Sequence, residues 1–356
     1  MKMTSLALPD FLQTGVDHQA SDIFIISGKA LTTKEQGKMH SYGEKLMPEE
    51  THQYVQMIYR LAGNRSMDNL LAKGDDDFSF SVSGIARFRV NAYLQRNSLA
   101  AVIRLISNTL PNPDTLSIPE EVMSLADLTR GMVLVTGPAG SGKTTTLACL
   151  IDRINKTREG HIITLEDPLE YMHRHNKCII SQREILSDTA SYLVSLRAAL
   201  RQSPDVILLG EMRDHETIQT AMTAAETGHL LFSTLHSVGA ANTIERIIDV
   251  FEPSHQRQIT IQLADILQAV VSQQLIPDVD GRIIPVFEIM RLTPAIRNMI
   301  RDNKVHQIDG VISSSGQSNM ITMDQSLANL FRQKRITRET ALNYATNPEL
   351  MKRKLM

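Results

Sequence analysis

The run Gly137-Pro138-Ala139-Gly140-Ser141-Gly142-Lys143-Thr144-Thr145 gathers three glycines, a lysine and a set of hydroxyl side chains into one short stretch. Glycines let consecutive backbone N–H groups turn toward a common point without Cβ clashes, and a lysine beside them adds a mobile positive charge. The flanks supply the rest of the pattern. Gly131-Met132-Val133-Leu134-Val135-Thr136 reads as a buried strand, and 145–155 reads as a helix whose positive dipole end faces the same point. Strand, glycine loop and helix in this order bind polyphosphate. Gly137, Pro138, Ala139, Gly140, Ser141, Gly142, Lys143, Thr144 and Thr145 are therefore assigned to a nucleoside triphosphate, with Lys143 on the β and γ phosphates. The Thr144 hydroxyl is placed on the magnesium ion that bridges those phosphates.

Phosphoryl transfer also needs acids on the metal side, a group that orients water and positive charge for the transition state. In a parallel sheet these groups sit beyond the carboxyl ends of the strands. Ile162-Ile163-Thr164-Leu165 runs into Glu166-Asp167-Pro168-Leu169-Glu170, where the proline stops the strand and leaves three carboxylates in one loop. Val206-Ile207-Leu208-Leu209 runs into Gly210-Glu211, the arrangement of a Walker B acid. A third strand lies between His229 and His236; a lone histidine at a strand end is more often a hydrogen-bonded structural residue than a ligand. No His or Cys cluster has the spacing of a zinc site.

The elements that must carry these residues fall into two textures. From Ser21 to Leu105 the chain reads as short strands with one helix near 49–61. Phe78, Phe80 and Val82 alternate with serines, and Phe88, Val90, Ala92 and Leu94 alternate with Arg87, Arg89, Asn91 and Tyr93, the mark of an antiparallel meander with one apolar face. Asn108 to Pro119 contains Pro111, Pro113 and Pro119 and reads as an extended linker. The domains are accordingly placed at 1–110 and 121–356 with the linker at 111–120. After the linker, apolar strands alternate with helices, which implies a parallel sheet covered on both faces. Beyond Ala240 the chain reads as mostly helical, with 256–274 as one long amphipathic helix and a charged end at Lys352-Arg353-Lys354.

Composition narrows the class further. The chain has 356 residues, 37 basic against 39 acidic, and no tryptophan, so nothing in its charge or aromatic content favours a nucleic-acid partner. Its two cysteines, Cys149 and Cys178, cannot form a disulfide framework and fit a reducing compartment. The opening Met1 to Asp10 is broken by Pro9 before a signal-peptide core forms, and no apolar run approaches the ~20 residues of a membrane span.

The ordered motifs GPAGSGKTTT, HIITLEDPLEY, SQRE, LRAALRQSPDVILLGEMRD and TAAETGHLLFSTLH together resemble the PilT family of type IV pilus retraction ATPases, within the wider superfamily of secretion ATPases. Ala295-Ile296-Arg297-Asn298-Met299-Ile300-Arg301 is similar to the surface motif of retraction motors, and the extension motors' cysteine tetrad is missing. The resemblance implies an α/β chain with an N-terminal PAS-like α+β domain followed by a RecA-like P-loop domain, ATP bound at the domain interface, and assembly into a homo-hexamer. It implies further that Glu170 orients or deprotonates the attacking water, that Glu211 is the Walker B acid acting on Mg2+ through a water molecule, and that His229 senses the γ phosphate. Arg89 and Arg104 match positions that supply positive charge to the nucleotide. The implied setting is cytoplasmic, on the inner face of the cytoplasmic membrane against a platform protein, with a second retraction ATPase as a further partner. Similar nucleotide machinery would also serve a secretion or conjugation ATPase, or an accessory subunit that hydrolyses little.

The family usually has an arginine where this chain has Glu35, and Thr and Ser where it has Ala139 and Thr144. Without any resemblance, 293–301 still reads as an amphipathic helix: Thr293 can cap it, Pro294 suits its first turn, and Arg297 and Arg301 lie one turn apart opposite Ile296 and Ile300.

Overall fold

The computed structural model describes residues 7–106, 109–314 and 319–355. The first six residues and Asn108, both used in the sequence reading, lie outside them. The chain is mixed α/β and carries two sheets. It divides into two compact units, Met1–Thr109 with Pro168–Met172, and Leu110–Asp167 with His173–Met356.

The first unit opens with helix α1 (Leu8–Asp17), three short strands β1 (Asp22–Ile25), β2 (Leu31–Glu35) and β3 (Lys38–Tyr42), and helices α2 (Pro48–Leu61) and α3 (Asp68–Lys73). The meander follows as β4 (Asp75–Val82), β5 (Ala86–Gln95) and β6 (Ser98–Ile106). The six strands form one antiparallel sheet in the order β3-β2-β1-β6-β5-β4. Period-two alternation puts Phe78, Phe80, Phe88, Val90 and Ala92 on a single buried face, where they meet Tyr54, Val55, Ile58 and Tyr59 of α2. Asp76 is buried at the rim of this core and is satisfied four times: by Tyr59 Oη (2.8 Å), Arg65 Nε and Nη2 (3.0 Å each) and Asn69 Nδ2 (2.9 Å). Glu35 accepts from the Thr33 hydroxyl (2.5 Å) and from Tyr42 Oη (2.9 Å), with His18 Nδ1 at 3.4 Å. The Thr33 bond is the main reason its carboxyl stays below the usual range, and the Tyr42 hydroxyl adds to the effect.

The second unit begins with the short helix α4 (Glu120–Met123), then β7 (Gly131–Thr136), α5 (Lys143–Thr157), β8 (Gly160–Glu166), β9 (Cys178–Glu184), α6 (Tyr192–Ala199) and β10 (Val206–Leu209). It continues with α7 (His215–Glu226), β11 (Leu230–Leu235), α8 (Ala240–Asp249), α9 (Pro253–Ile266), β12 (Leu267–Pro277) and β13 (Ile283–Arg291). The remaining helices are α10 (Pro294–Arg301), α11 (Ile308–Ser314), α12 (Met323–Arg332), α13 (Arg338–Asn343) and α14 (Pro348–Lys354). The sheet order is β13-β12-β7-β11-β10-β8-β9; every neighbouring pair is parallel except the β12/β13 hairpin. Alternate residues of β7 face opposite ways: Met132 and Leu134 join the core under α7, α8 and α9, while Val133 and Val135 join the core under α5. A strand buried on both faces is why its sequence is apolar throughout.

The long helix expected over 256–274 is corrected. α9 stops at Ile266 and the chain passes directly into β12, where Leu267 to Ser272 pair with β7 on one side and Ala269 to Pro277 pair with β13 on the other. Two ladders for one segment outweigh what a helix could supply, and Val270 and Val271 suit a pleated, buried surface. The stretch expected as an extended linker is also wound. Leu116 N bonds to Asn112 O (3.2 Å), Ile118 N bonds to Pro113 O (3.0 Å), and Ile118 is buried in the second unit. Both cysteines are buried thiols: burial, then the charge of Asp152, pushes Cys149 up to about 11, and burial likewise raises Cys178. Among the described residues no helix is long and apolar enough to cross a membrane.

Asp76 gives the first unit a defined acid sensitivity. Burial alone would raise its carboxyl, but the bonds from Arg65, Asn69 and Tyr59 hold it below the ordinary 3.8. A depressed carboxylate stabilises the fold above its unfolded pKa and loses that contribution as pH falls through its folded value. Protection of β5 and β6 amides in hydrogen exchange should therefore fall as the pH is lowered below about 4 in the wild type, and less steeply in Asp76→Asn. At neutral pH Asp76→Ala should cost about 2–3 kcal/mol, since it strands the partners of a buried acceptor.

Candidate active site

The phosphate loop leaves β7 at Thr136 and enters α5 at Lys143. Gly142 caps the helix with φ 85°, and the first intrahelical bond runs from Thr146 N to Gly142 O (3.0 Å), so the N–H groups of the opening turn are directed into the loop. Lys143 is 8% exposed and its Nζ donates to Gly137 O (2.9 Å) and Pro138 O (2.8 Å), which holds the ammonium over the concave side of the loop. The hydroxyls of Thr136 and Ser141 are buried there with no hydrogen-bond partner among the described residues. Buried hydroxyls, a lysine ammonium and a helix amino end at one point make a donor set that fits a polyphosphate. Pro138, Ala139 and Gly140 form the exposed crest, and Thr144 and Thr145 follow Lys143 in the first helical turn.

The acids lie along the same sheet edge. In the parallel registers Thr136 pairs with Leu235 and Leu209 with Leu165, so β7, β8, β10 and β11 end together. Glu166 is buried at the end of β8, with Asp167 exposed after it. Glu211 follows β10 by two residues, is largely buried, and lies against Arg213 and 3.5 Å from His236 Nε2. Thr234 Oγ1 ties β11 to Gly210 O at 2.6 Å. Tyr192, at the start of α6, reports the charge density: burial first, then Glu211, Asp167 and Glu166, push its phenol above the usual range. The ends of β10 and β11 open on a cavity of about 680 Å3 lined by Glu211, Arg213, His236 and Arg246 among others. A separate cavity of about 750 Å3 between β13 and α12 bears none of the candidate residues. No group of three His, Cys, Asp or Glu side chains among the described residues is arranged to hold a metal by itself.

The histidine assignment changes. His229 precedes β11, and its Nδ1 lies 2.9 Å from Ala224 O and 3.2 Å from Thr227 Oγ1 while its carbonyl accepts from Gly131 N, the first residue of β7. It therefore stands at the amino end of a six-residue strand, about 20 Å from the edge that carries the phosphate loop. Within one chain His229 cannot touch a phosphate on that loop; His236, at the other end of the strand, is the histidine beside Glu211. The loop after His236 is pinned where α8 begins: Gly239 N donates to Ser272 Oγ (3.0 Å) and Ala240 N to Glu288 Oε1 (2.8 Å). Glu288 also accepts from Met323 N (3.3 Å) at the start of α12; burial pushes its carboxyl up and those two amides oppose the rise. Sequence reasoning missed Glu288 and Tyr192, because neither sits in a recognisable motif.

Glu170 does not stay with the carboxylates it adjoins in sequence. Pro168–Met172 belongs to the first unit, where Glu170, Leu169 and Tyr171 share a cavity of about 320 Å3 with Arg89 and Arg104. Arg89 and Arg104 are directly opposite on β5 and β6. Each is braced by a carboxylate of its own unit: Arg89 bidentately by Asp77 (3.0 and 2.7 Å), and Arg104 by Asp22 (2.9 Å). An acid and two aligned guanidiniums in one cavity can orient a water molecule and offer charge to an anion.

Known proteins similar to this chain cover nearly its whole length. The family model described as type II/IV secretion system protein matches residues 4–283. The type IV pilus retraction ATPase PilT of Pseudomonas aeruginosa is 42% identical over 96% of this chain and 99% of its own length. A twitching motility protein of Neisseria gonorrhoeae is 49% identical over 77% of this chain and 74% of its own. Among solved structures, the pilus retraction motor PilT with bound ADP superposes with a TM-score of 0.90 at 41% identity, covering 98% of this chain and all of that one. With strands, loop and acids placed as they are, and with similarity over nearly the whole length, the chain belongs to the type II/IV secretion system protein family, in the group of the PilT pilus retraction ATPases.

Proposed function

We propose that this protein is an ATP-hydrolysing motor that powers retraction of a type IV pilus, working as a homo-hexamer on the inner face of the cytoplasmic membrane against a platform protein. The observation that carries the reading is the phosphate loop with Lys143 at its centre, set at the same sheet edge as Glu211, in a chain similar to PilT from end to end. In this reading the first unit is PAS-like and the second RecA-like. Lys143 and the loop amides hold the β and γ phosphates; Thr144 would offer its hydroxyl to Mg2+ and Glu211 would act on the ion through water. When bound, the ion would supply charge neutralisation to the phosphates, and Glu166 and Asp167 would add to the negative field that favours it. Glu170 orients the attacking water, and Arg89 and Arg104 supply positive charge to the equatorial oxygens. His236 takes the position at the γ-phosphate side that the sequence reading gave to His229.

Helix α10 is the surface we assign to coupling hydrolysis to retraction. Thr293 Oγ1 accepts from Ile296 N (3.2 Å), Ile296 and Ile300 are buried, and Arg301 pairs with Asp265 of α9, so the helix is fixed to its unit while Ala295 and Asn298 remain exposed. Three outcomes test the proposal. Lys143→Ala should abolish binding of ADP and ATP in titration calorimetry. Glu170→Gln should keep nucleotide affinity and lower turnover on the order of a hundredfold or more; a wild-type rate would take Glu170 out of the mechanism. Paired Arg297→Ala and Arg301→Ala substitutions should leave ATPase activity unchanged and stop pilus withdrawal in cells, leaving excess surface pili.

A further inference from the structure

The phosphate loop is seated on a residue that lies far from it in sequence, on β12. Gln273 lies on β12, one position past Ser272, which pairs with Thr136 at the end of β7. It is 3% exposed. Its side-chain oxygen accepts from the Thr146 hydroxyl at 2.7 Å. In that bond the hydroxyl donates and the amide oxygen accepts. The amide nitrogen is thereby turned toward Gly142, where the loop enters α5. A Cβ placed on Gly142 would lie 2.9 Å from Gln273 Nε2, and one placed on Gly137 would lie 2.2 Å from the Gln273 backbone oxygen. The first and last glycines of the loop thus both rest on this one residue, and the helix that follows is tied to it through Thr146.

We propose that Gln273 is a positioning residue that holds the phosphate loop in its nucleotide-binding shape before the nucleotide arrives. This rests on the nucleotide-binding reading given above. A primary amide suits the place because it is amphoteric: one end accepts from α5 while the other presents N–H groups to the loop. Methionine matches its bulk but has neither function. Glutamate keeps an acceptor for Thr146, loses the donor, and sets a negative charge beside bound phosphates. Preorganised donors bind more tightly because less ordering remains to be done on association, so the loss of Gln273 appears in nucleotide affinity and in the ligand-free motion of the loop.

The test uses full-length protein and two readouts. Binding of a fluorescent ADP analogue reports affinity, and hydrogen exchange without nucleotide reports the loop amides at 139–145 alongside the amides of β10 and β11. Gln273→Met should weaken ADP about tenfold, the scale of one buried hydrogen bond, and speed exchange in the loop while β10 and β11 keep their protection. Gln273→Glu should weaken ADP further. Thr146→Val should resemble Gln273→Met, Thr146→Ser should restore wild-type binding, and the combined Gln273→Met and Thr146→Val should be less than additive, since both remove the same bond. Should the Gln273 variants lose their fold, the Thr146 pair decides the question alone. Wild-type affinity and loop exchange in Gln273→Met, or in Thr146→Val, would overturn the proposal. Unchanged ADP binding in Lys143→Ala would instead overturn the nucleotide-binding reading beneath it.

Discussion

The second unit depends on the register of one strand. β7 lies between β11 and β12, with Thr136 opposite Leu235 on one side and Ser272 on the other, and the phosphate loop springs from the end of that triple alignment. Parallel strands share a direction, so alignment at one end brings every following loop to the same edge. A slip of one residue would exchange the two faces of β7, sending Met132 and Leu134 into the core that now receives Val133 and Val135. The packing that forbids this slip also fixes where Glu211, His236 and Lys143 stand.

That edge brings opposite charges together deliberately. The amino end of α5 and Lys143 supply positive charge, while Glu166, Asp167 and Glu211 gather close enough to add to the rise that burial gives the Tyr192 phenol. Either set alone would bind poorly: carboxylates repel a polyphosphate, and a positive cradle has no use for a divalent ion. In the proposed function, a phosphate carried with its metal would satisfy both. In the first unit the same economy appears on a smaller scale, where Asp77 and Asp22 hold two arginines side by side that would otherwise repel each other.

Much of this was legible from residues alone. The phosphate loop, its strand and helix, the acids after β8 and β10, the meander and the capped helix at Thr293 each carry a local signal: glycines at fixed spacing, period-two alternation, a cap followed by proline. What failed to show were features decided by distant partners. Nothing marks the passage from α9 to β12, because Ile266 and Leu267 are both apolar and neither glycine nor proline punctuates the change; the ladders on both sides decide it. His229 was assigned by motif, although its position before the strand, not after it, already placed it on the wrong edge. Gln273 and Glu288 look like ordinary strand residues until the neighbours they hold are visible. The regrouping of Glu170 with the first unit has no local signal either.

The burial of Cys149 and Cys178 reaches into how the protein can be studied. A thiol packed inside a core and shifted toward the neutral form presents little thiolate to electrophiles or oxidants. The native chain is therefore chemically quiet toward maleimides, and a single cysteine engineered onto the outer side of α10 would accept a spectroscopic label at one position, without first stripping the molecule of its own sulfur.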